Sequence, residues 1–260
     1  MKAIERVMFC GVLAAGMSPF VQAANPNPQQ AFQQSYTLSP RGRVAIDNLY
    51  GDVRVTGWDR NEVRVEAIKT GTNEERLEDA RIVVDATADR ISVRTLYASA
   101  ESRSPASVEY HITMPRTADL EEVHLINGGL VLSDLAGSVK ATSVNGGIRA
   151  EKLAGKADLA TVNGPVEAGF ERIDATRPIS LRSVNGHIQL SIPSGSGAQL
   201  IAQNRSGEIE TNFKPHTRTA GSHHLEAVLP GGGPTIELHN VNGGISIHST
   251  WSRRHERPCL

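Results

Sequence analysis

The sequence predicts an all-β protein built as a β-solenoid-like stack of two-strand repeats, each about 18–22 residues long, with Asn-Gly corners. Three observations support this prediction. Val-Asn-Gly occurs at 144–146 and again at 162–164. Apolar residues fall at the same offsets around each recurring asparagine. The 24 glycines and the 4% aromatic content favour many turns and small side chains.

The repeat is anchored on five asparagines, and Ser206 takes the equivalent place in a weaker copy. They are Asn127, Asn145, Asn163, Asn185 and Asn242. Apolar residues fall six, four and one positions before the asparagine and three and five positions after it, except that Glu121 takes the first of these positions in the Asn127 copy. Steps of two indicate strands with one buried face. The step of three breaks that alternation, so we expect a bend or bulge that keeps Val144 and Val162 inside. Asn and Gly both tolerate the positive φ that tight turns require.

An antiparallel meander with Asn-Gly hairpins is the structural alternative, but charges at equivalent positions favour the stack. Successive copies carry Glu122, Lys140 and Asp158 before the asparagine, and Arg149, Glu167 and Gln189 after it. If each copy is one rung, these side chains lie about 4.8 Å from their neighbours. Alternating signs then form favourable pairs between strands. We therefore predict that the asparagines line one corner as a ladder.

The N-terminus predicts a signal peptide over residues 1–23. Lys2 and Arg6 precede an apolar run, 7–17, that is too short to span a bilayer, and small residues precede a cut after Ala23. A retained membrane anchor is the alternative. Cleavage removes Cys10 and leaves Cys259 alone, so we expect no intramolecular disulfide and no transmembrane segment in the mature chain.

The rest of the chain is predicted to contain four segments. Residues 24–34, rich in Pro, Asn and Gln, are expected to be a disordered lead-in. Residues 35–115 form an N-terminal sheet and hairpin part that caps the stack. Residues 116–250 hold the repeats, with an insertion at 214–234. Residues 251–260 are a basic tail, expected to be solvated; contact with an anionic surface is the alternative.

One stretch of sequence resembles a known family. From Tyr110 to Leu132 the chain reads "YHITMPRTADLEEVHLINGGLVL", a strand that ends in proline and leads into Asn-Gly units. This pattern is similar to the putative adhesin family of bacterial β-strand-repeat domains, and the resemblance covers residues 47–248. It implies an exported β-solenoid-like domain of unassigned function, with no catalytic residues to carry over.

Composition and motifs favour a non-catalytic protein. The net charge of −1 at pH 7 argues against a nucleic-acid binder, and no Ser-His-Asp order, Walker loop or dinucleotide fingerprint is present. We therefore predict a scaffold or adhesin-like binding domain of the bacterial cell envelope, periplasmic or on the cell surface. Its partner would be an envelope protein or polysaccharide, and no catalytic, metal or cofactor residue is predicted.

A carbohydrate-active enzyme acting on envelope polysaccharide is the alternative function. Such an enzyme would need carboxylates on one outer face, and Glu208 and Glu210 are close enough in a strand to share one. The insertion is a candidate binding loop because long departures from a compact repeat are often functional. It carries His216, His223 and His224. Metal binding there is disfavoured, since no cysteine joins them and adjacent histidines in a strand point to opposite faces.

Overall fold

The computed structural model describes residues 27–98, 104–213, 217–221 and 223–250, which form two long β-sheets and one short helix. The all-β prediction is confirmed. The predicted signal peptide at 1–23, the basic tail at 251–260 and His216 lie outside the described residues. No helix in the described part of the chain is long and apolar enough to cross a membrane.

The elements are numbered in chain order. They are β1 (Gln29–Thr37), β2 (Arg43–Tyr50), β3 (Val53–Trp58), β4 (Glu62–Thr70), α1 (Glu74–Asp79), β5 (Ala80–Ala86), β6 (Arg90–Tyr97), β7 (Ser107–Pro115), β8 (Asp119–Asn127), β9 (Leu130–Ser133), β10 (Val139–Asn145), β11 (Ile148–Leu153), β12 (Ala157–Asn163), β13 (Val166–Phe170), β14 (Ile179–Asn185), β15 (Ile188–Pro193), β16 (Gln199–Ser206), β17 (Ile209–Thr211), β18 (Thr217–Ala220), β19 (His224–Val228), β20 (Thr235–Asn242) and β21 (Ile245–Thr250).

Seven pairs of consecutive strands each place one strand in each sheet, and we call each pair a rung. Within each sheet, the strands of neighbouring rungs are parallel. In spatial order the rungs are β2/β3, β8/β9, β10/β11, β12/β13, β14/β15, β20/β21 and β16/β17. The ten-stranded sheet runs β1-β4-β7-β3-β9-β11-β13-β15-β21-β17, and the eleven-stranded sheet runs β18-β19-β16-β20-β14-β12-β10-β8-β2-β6-β5. The two inner faces meet in one continuous apolar core.

The last two rungs do not stack in chain order. After β15 the chain builds the outer rung β16/β17, makes the antiparallel hairpin β18–β19 along the edge of β16, and then returns. The returning strands β20 and β21 fill the space between β14/β15 and β16/β17. The predicted insertion at 214–234 therefore contains a hairpin that extends one sheet beyond the stack.

The N-terminal end of the stack is closed by strands that continue the two sheets. β7 is parallel to β3 and antiparallel to β4, and β1 pairs antiparallel with β4. The predicted disordered lead-in at 24–34 is wrong for residues 29–34, which belong to β1. Their backbone pairs with β4, and Phe32 packs against the core, so the glutamines need only point to solvent.

Burial alternates without a break up to the corner, and the predicted bend before the asparagine is wrong. Thr161 and Ser183, two positions before an asparagine, are 4% and 3% exposed, whereas Val162 and Val184 are 41% and 39% exposed. The physical reason is that carbonyl groups inside the corner need hydrogen-bond partners. Thr161 Oγ1 donates to the carbonyl of Gly146 at 2.8 Å. At Thr161 and Ser183 a small polar side chain that donates to a glycine carbonyl therefore points inward, and the following valine points outward.

A bulge is present instead near the start of β8. Leu120 pairs with Val139, but Val123 pairs with Ala141, so β8 carries one extra residue. The bulge keeps Leu120 in the core and turns Glu121 outward. The Glu121 carboxylate then lies 3.3 Å from Arg43 Nη1 and 3.0 Å from Arg90 Nε.

A buried polar network joins the sheets near the N-terminal end. Thr95 Oγ1 donates to Asn48 Oδ1 at 2.9 Å and lies 2.7 Å from the hydroxyl of Tyr110. Burial raises the pKa of Tyr110 to about 12, although its hydrogen bond with Thr95 acts in the opposite direction. Burial also raises the pKa of Tyr97, with smaller contributions from Tyr110 and Tyr50.

We expect the protein to lose stability in alkali because of these tyrosines. Their pKa in the unfolded chain is about 10, so their stabilisation is complete below pH 10 and is lost as the pH rises toward 12. Tyr110 accounts for up to about 2 kcal/mol of that loss. Urea unfolding at pH 8, 10 and 11.5 should show a shallower alkaline decline for Tyr110→Phe than for wild type. Equal declines would show that Tyr110 ionises as freely in the folded state as in the unfolded chain.

Candidate functional site

The corner where each rung passes from the eleven-stranded to the ten-stranded sheet carries a ladder of asparagine side chains. The register places Asn127, Asn145, Asn163, Asn185 and Asn242 side by side. Each Nδ2 donates to the Oδ1 of the preceding asparagine, at 3.0 Å for the first pair and 2.9 Å for the others. An amide has two N–H donors and two acceptor lone pairs. Each amide within the ladder therefore keeps one donor and one acceptor for another partner.

Glycine follows each of these asparagines because neighbouring rungs approach closely at the corner. A Cβ on Gly186 would lie 2.0 Å from the carbonyl oxygen of Gly164 in the next rung, a distance that only a glycine avoids. The asparagines do not use the left-handed region. Among the non-glycine residues that the structure describes, Asp134 and Lys152 have positive φ. Tolerance of positive φ therefore does not explain the asparagines, and close packing explains the glycine.

A second ladder runs beside the asparagines on the outer face of the eleven-stranded sheet. Its members are aliphatic, occupy six successive rungs and are half-buried or exposed. This aliphatic ladder consists of Leu49, Ile126, Val144, Val162, Val184 and Val241. At about 4.8 Å per rung it is about 24 Å long. We call the aliphatic ladder and the asparagine ladder together the corner surface.

The corner surface combines two kinds of contact in one straight strip. Aliphatic side chains offer apolar contact area, and the amides offer one donor and one acceptor per rung. None of its side chains is ionisable. On the first rung, Tyr50 stands beside Asn127 at the position that asparagine occupies in the following rungs. Sequence reasoning found these valines but placed them in the core. The signal in the sequence was an aliphatic residue that recurs beside each polar turn. If the two-residue alternation is continued up to the asparagine, it predicts that these valines face outward.

A groove on the outer face of the ten-stranded sheet is a second candidate site, with a volume of about 470 Å³. Glu66, His111 and Arg54 lie in one row across β4, β7 and β3, and Ile68 and Val131 supply apolar lining. Among the residues that the structure describes, no ion pair joins the charged members of this row. The groove thus holds ionisable groups without a partner of opposite charge.

The other predicted site residues are placed without forming a compact site. His224 Nε2 lies 3.2 Å from Glu226 Oε1 on β19, and His223 is exposed just before that strand. Glu208 and Glu210 are both exposed. In the described ranges, no group of three or more His, Cys, Asp or Glu side chains could hold a metal ion.

Comparison with known proteins gives a family match over most of the chain. The sequence model of the family described as Toastrack DUF4097 matches residues 42–248, which include nearly all of the rungs and most of the N-terminal end. No curated protein matches the sequence.

Three solved structures are similar to the chain at low identity. A "putative cell adhesion protein" from Clostridium sporogenes is 10% identical, with 85% of this chain and 100% of that one covered and a TM-score of 0.49. A "putative adhesin" from Bacteroides fragilis is 10% identical, with 87% and 100% covered and a TM-score of 0.36. A "putative lipid binding protein" from Parabacteroides distasonis is 10% identical, with 87% and 98% covered and a TM-score of 0.25.

Proposed function

The chain belongs to the Toastrack DUF4097 family, and we propose that it is a non-catalytic binding domain of the bacterial cell envelope. Its rungs form a β-solenoid-like scaffold of repeats of about 18–22 residues with Asn-Gly corners. The corner surface binds a polysaccharide. The observation that carries this proposal is the aliphatic ladder, which repeats an outward-facing apolar side chain on six successive rungs; Val162 and Val184 are exposed and the other four are half-buried.

An outward-facing aliphatic residue on six successive rungs indicates a role beyond folding. A polar β-branched residue such as threonine would suit a solvated strand position equally well. Aliphatic side chains in contact along one strip instead make a continuous apolar patch, and such patches mark interaction sites. The ladder is rigid because its residues lie on strands that are hydrogen-bonded to the strands of the neighbouring rungs. A partner could therefore bind without ordering the protein first, which lowers the entropic cost of association.

The chemistry of the corner surface favours a polysaccharide over a charged partner. Sugar rings present hydroxyl groups that both donate and accept hydrogen bonds, and C–H groups that make apolar contact. The asparagine ladder supplies a free donor and a free acceptor at a regular spacing. A linear polymer can satisfy several rungs at once, so weak contacts add along the strip.

Charges elsewhere on the outer faces support a non-catalytic role. Arg149 Nη2 lies 2.8 Å from Glu167 Oε2, and Lys140 Nζ lies 3.7 Å from Glu122 Oε1. These carboxylates are engaged with cations on neighbouring rungs. Catalysis of glycoside cleavage needs two carboxyl groups that face the same scissile bond.

Export to the periplasm or cell surface is part of the proposal and is supported by the sequence at 1–23. Its charged start, short apolar run and small-residue exit are typical of a cleaved signal. We expect the mature protein to begin at Ala24 and to be recovered outside the cytoplasm. N-terminal sequencing of envelope and medium fractions checks this, and a protein that retained Met1 would contradict it.

Binding to protein-free, lipid-free envelope polysaccharide tests the proposed function. Wild type should co-sediment with the polysaccharide and release no soluble sugar. Val162→Asp, which puts a charge in the middle of the corner surface, should weaken binding by about tenfold or more. Val131→Asp is the matched control, because Val131 also points outward but lies on the ten-stranded sheet, in the groove.

The same experiment can overturn the proposal in two ways. If Val131→Asp lost binding and Val162→Asp kept it, the groove would be the binding site. If wild type released soluble sugar, the protein would be a carbohydrate-active enzyme. Glu109 lies on β7 and lines the groove together with Glu66. The Glu208→Gln/Glu210→Gln and Glu66→Gln/Glu109→Gln variants would then identify which carboxylates are responsible.

A further inference from the structure

Three arginines from distant parts of the sequence meet at the corner opposite the asparagines. Arg41 lies between β1 and β2, and Arg172 and Arg177 lie between β13 and β14. Together with Thr117 and the backbone at Gly137, they line a concavity of about 440 Å³. We call it the arginine pocket. Sequence analysis gave no sign of it, because the three residues are brought together only by the stacking of the rungs.

One arginine of the pocket is held by the protein itself. Arg177 Nη1 donates to the carbonyl of Ala136 at 3.1 Å, and its Nε lies 3.3 Å from Asp174 Oδ2. The Asp174 Oδ1 accepts hydrogen bonds from the backbone N–H and the hydroxyl of Thr176. These hydrogen bonds, with smaller contributions from Arg177 and Arg172, hold the pKa of Asp174 below its usual value. Arg177 thus fixes the loop against the neighbouring rung.

The other two arginines form no ion pair within 4 Å among the described residues, although Arg172 contributes to the lowered pKa of Asp174. Within the described part of the chain, no carboxylate lies within 4 Å of the guanidinium of Arg41 or Arg172. Many arginines elsewhere on the surface are paired, as Arg182 is with Asp158 at 3.2 Å. Among the residues that line the pocket, the three arginines face one carboxylate, that of Asp119, which accepts a hydrogen bond from the backbone N–H of Ser138 at 2.7 Å. The pocket therefore holds an excess of positive charge with unused N–H donors.

We propose that the arginine pocket binds the anionic group of an acidic sugar, a carboxylate or a phosphate ester carried by an envelope polysaccharide. Guanidinium groups present planar pairs of N–H donors that match both anions. The lining favours a sugar over a membrane surface. It is polar and concave, and it offers no large apolar side chain of the kind that inserts among acyl chains.

This inference concerns a second site and does not depend on the corner surface. An acidic sugar binds here through charge, so its affinity should fall as salt is added. Binding at the corner surface relies on apolar contact and neutral amides, and should respond little to salt. The two sites can therefore be tested separately on the same protein.

Calorimetric titration of the mature chain with D-glucuronate and with inorganic phosphate tests the inference. Wild type should bind both anions, should not bind D-glucose, and should bind more weakly in 0.5 M salt. Arg41→Gln/Arg172→Gln should weaken binding of both anions by about tenfold or more, since each lost charge-assisted contact is worth about that factor. Arg205→Gln is the matched control, because Arg205 is exposed and lies on β16.

Each result either supports or overturns the proposed binding of an acidic sugar. Unchanged affinity in Arg41→Gln/Arg172→Gln, or no binding of either anion by wild type, would overturn it. Binding to phosphatidylglycerol vesicles without binding to D-glucuronate would overturn the assignment to a sugar in favour of a lipid surface. Val162→Asp should bind both anions like wild type, so loss of the corner surface and loss of the arginine pocket give different results. Thermal melting of each variant shows that the comparison is between folded proteins.

Discussion

Replacing Gly186 by alanine is expected to destabilise the protein by about 3 kcal/mol or more. The added Cβ would lie 2.0 Å from the carbonyl oxygen of Gly164 and 2.5 Å from its carbon. Both atoms are backbone atoms of the neighbouring rung and are held by its pairing, so the clash can be relieved only by separating two rungs. Separation would also stretch the hydrogen bond between Asn185 and Asn163. Urea unfolding at neutral pH measures the loss.

Gly169→Ala is the matched control for this prediction. Gly169 lies on β13 of the preceding rung, and a Cβ there would lie 3.7 Å from the carbonyl oxygen of Ala150, which is ordinary van der Waals contact. We expect a change of less than about 1 kcal/mol. Equal destabilisation by the two alanines would mean that the rungs are not in close contact at the corner.

Leu159→Asp is expected to unfold the protein, whereas Val162→Asp should stay folded. Leu159 is fully buried between the sheets, and Leu→Ala changes at such positions cost about 2–5 kcal/mol before any charge is added. An unpaired buried carboxylate adds to that cost, and the total is comparable to the whole stability of a typical domain. Val162 is 41% exposed, so its aspartate would be solvated and should cost about 1 kcal/mol.

Circular dichroism and thermal melting distinguish the two variants. A β-rich spectrum with a cooperative transition is expected for Val162→Asp, and its absence is expected for Leu159→Asp. The opposite result would restore the sequence-based register, in which the residue before each asparagine is buried. Val162→Thr provides a further control, because it keeps the branched shape and should melt close to wild type.

The all-β class could be predicted because strand alternation and turn residues are local properties of the sequence. The direction of the residue before each asparagine could not, because it depends on which groups need partners inside the corner. Thr161 and Asn240 point inward since their side chains donate to glycine carbonyls of the neighbouring rung. A hydrophobic pattern alone assigns the valine to that place.

Two features of the stack depend on contacts between distant segments. β16/β17 and β20/β21 carry similar patterns, so nothing in the periodicity indicates that the later pair lies inside the earlier one. The first rung, β2/β3, has Tyr50 where the next five rungs have asparagine, so the asparagine pattern did not reveal it as a repeat. The arginine pocket has the same origin, because Arg41 and Arg172 become neighbours only in the folded stack.

We propose that the aliphatic ladder is an outer surface that binds polysaccharide. The most direct measurement is the rate of thiol labelling at single cysteines placed in a Cys259→Ser background of the mature chain, with and without the polysaccharide. Val162→Cys should label quickly, and Thr161→Cys should label slowly because Thr161 is 4% exposed. Polysaccharide should slow the labelling of Val162→Cys. It should leave the labelling of Glu210→Cys, which is also exposed, unchanged. Slow labelling at Val162→Cys would show that the ladder is buried, and fast labelling that polysaccharide does not reduce would show that the ladder is not the binding surface.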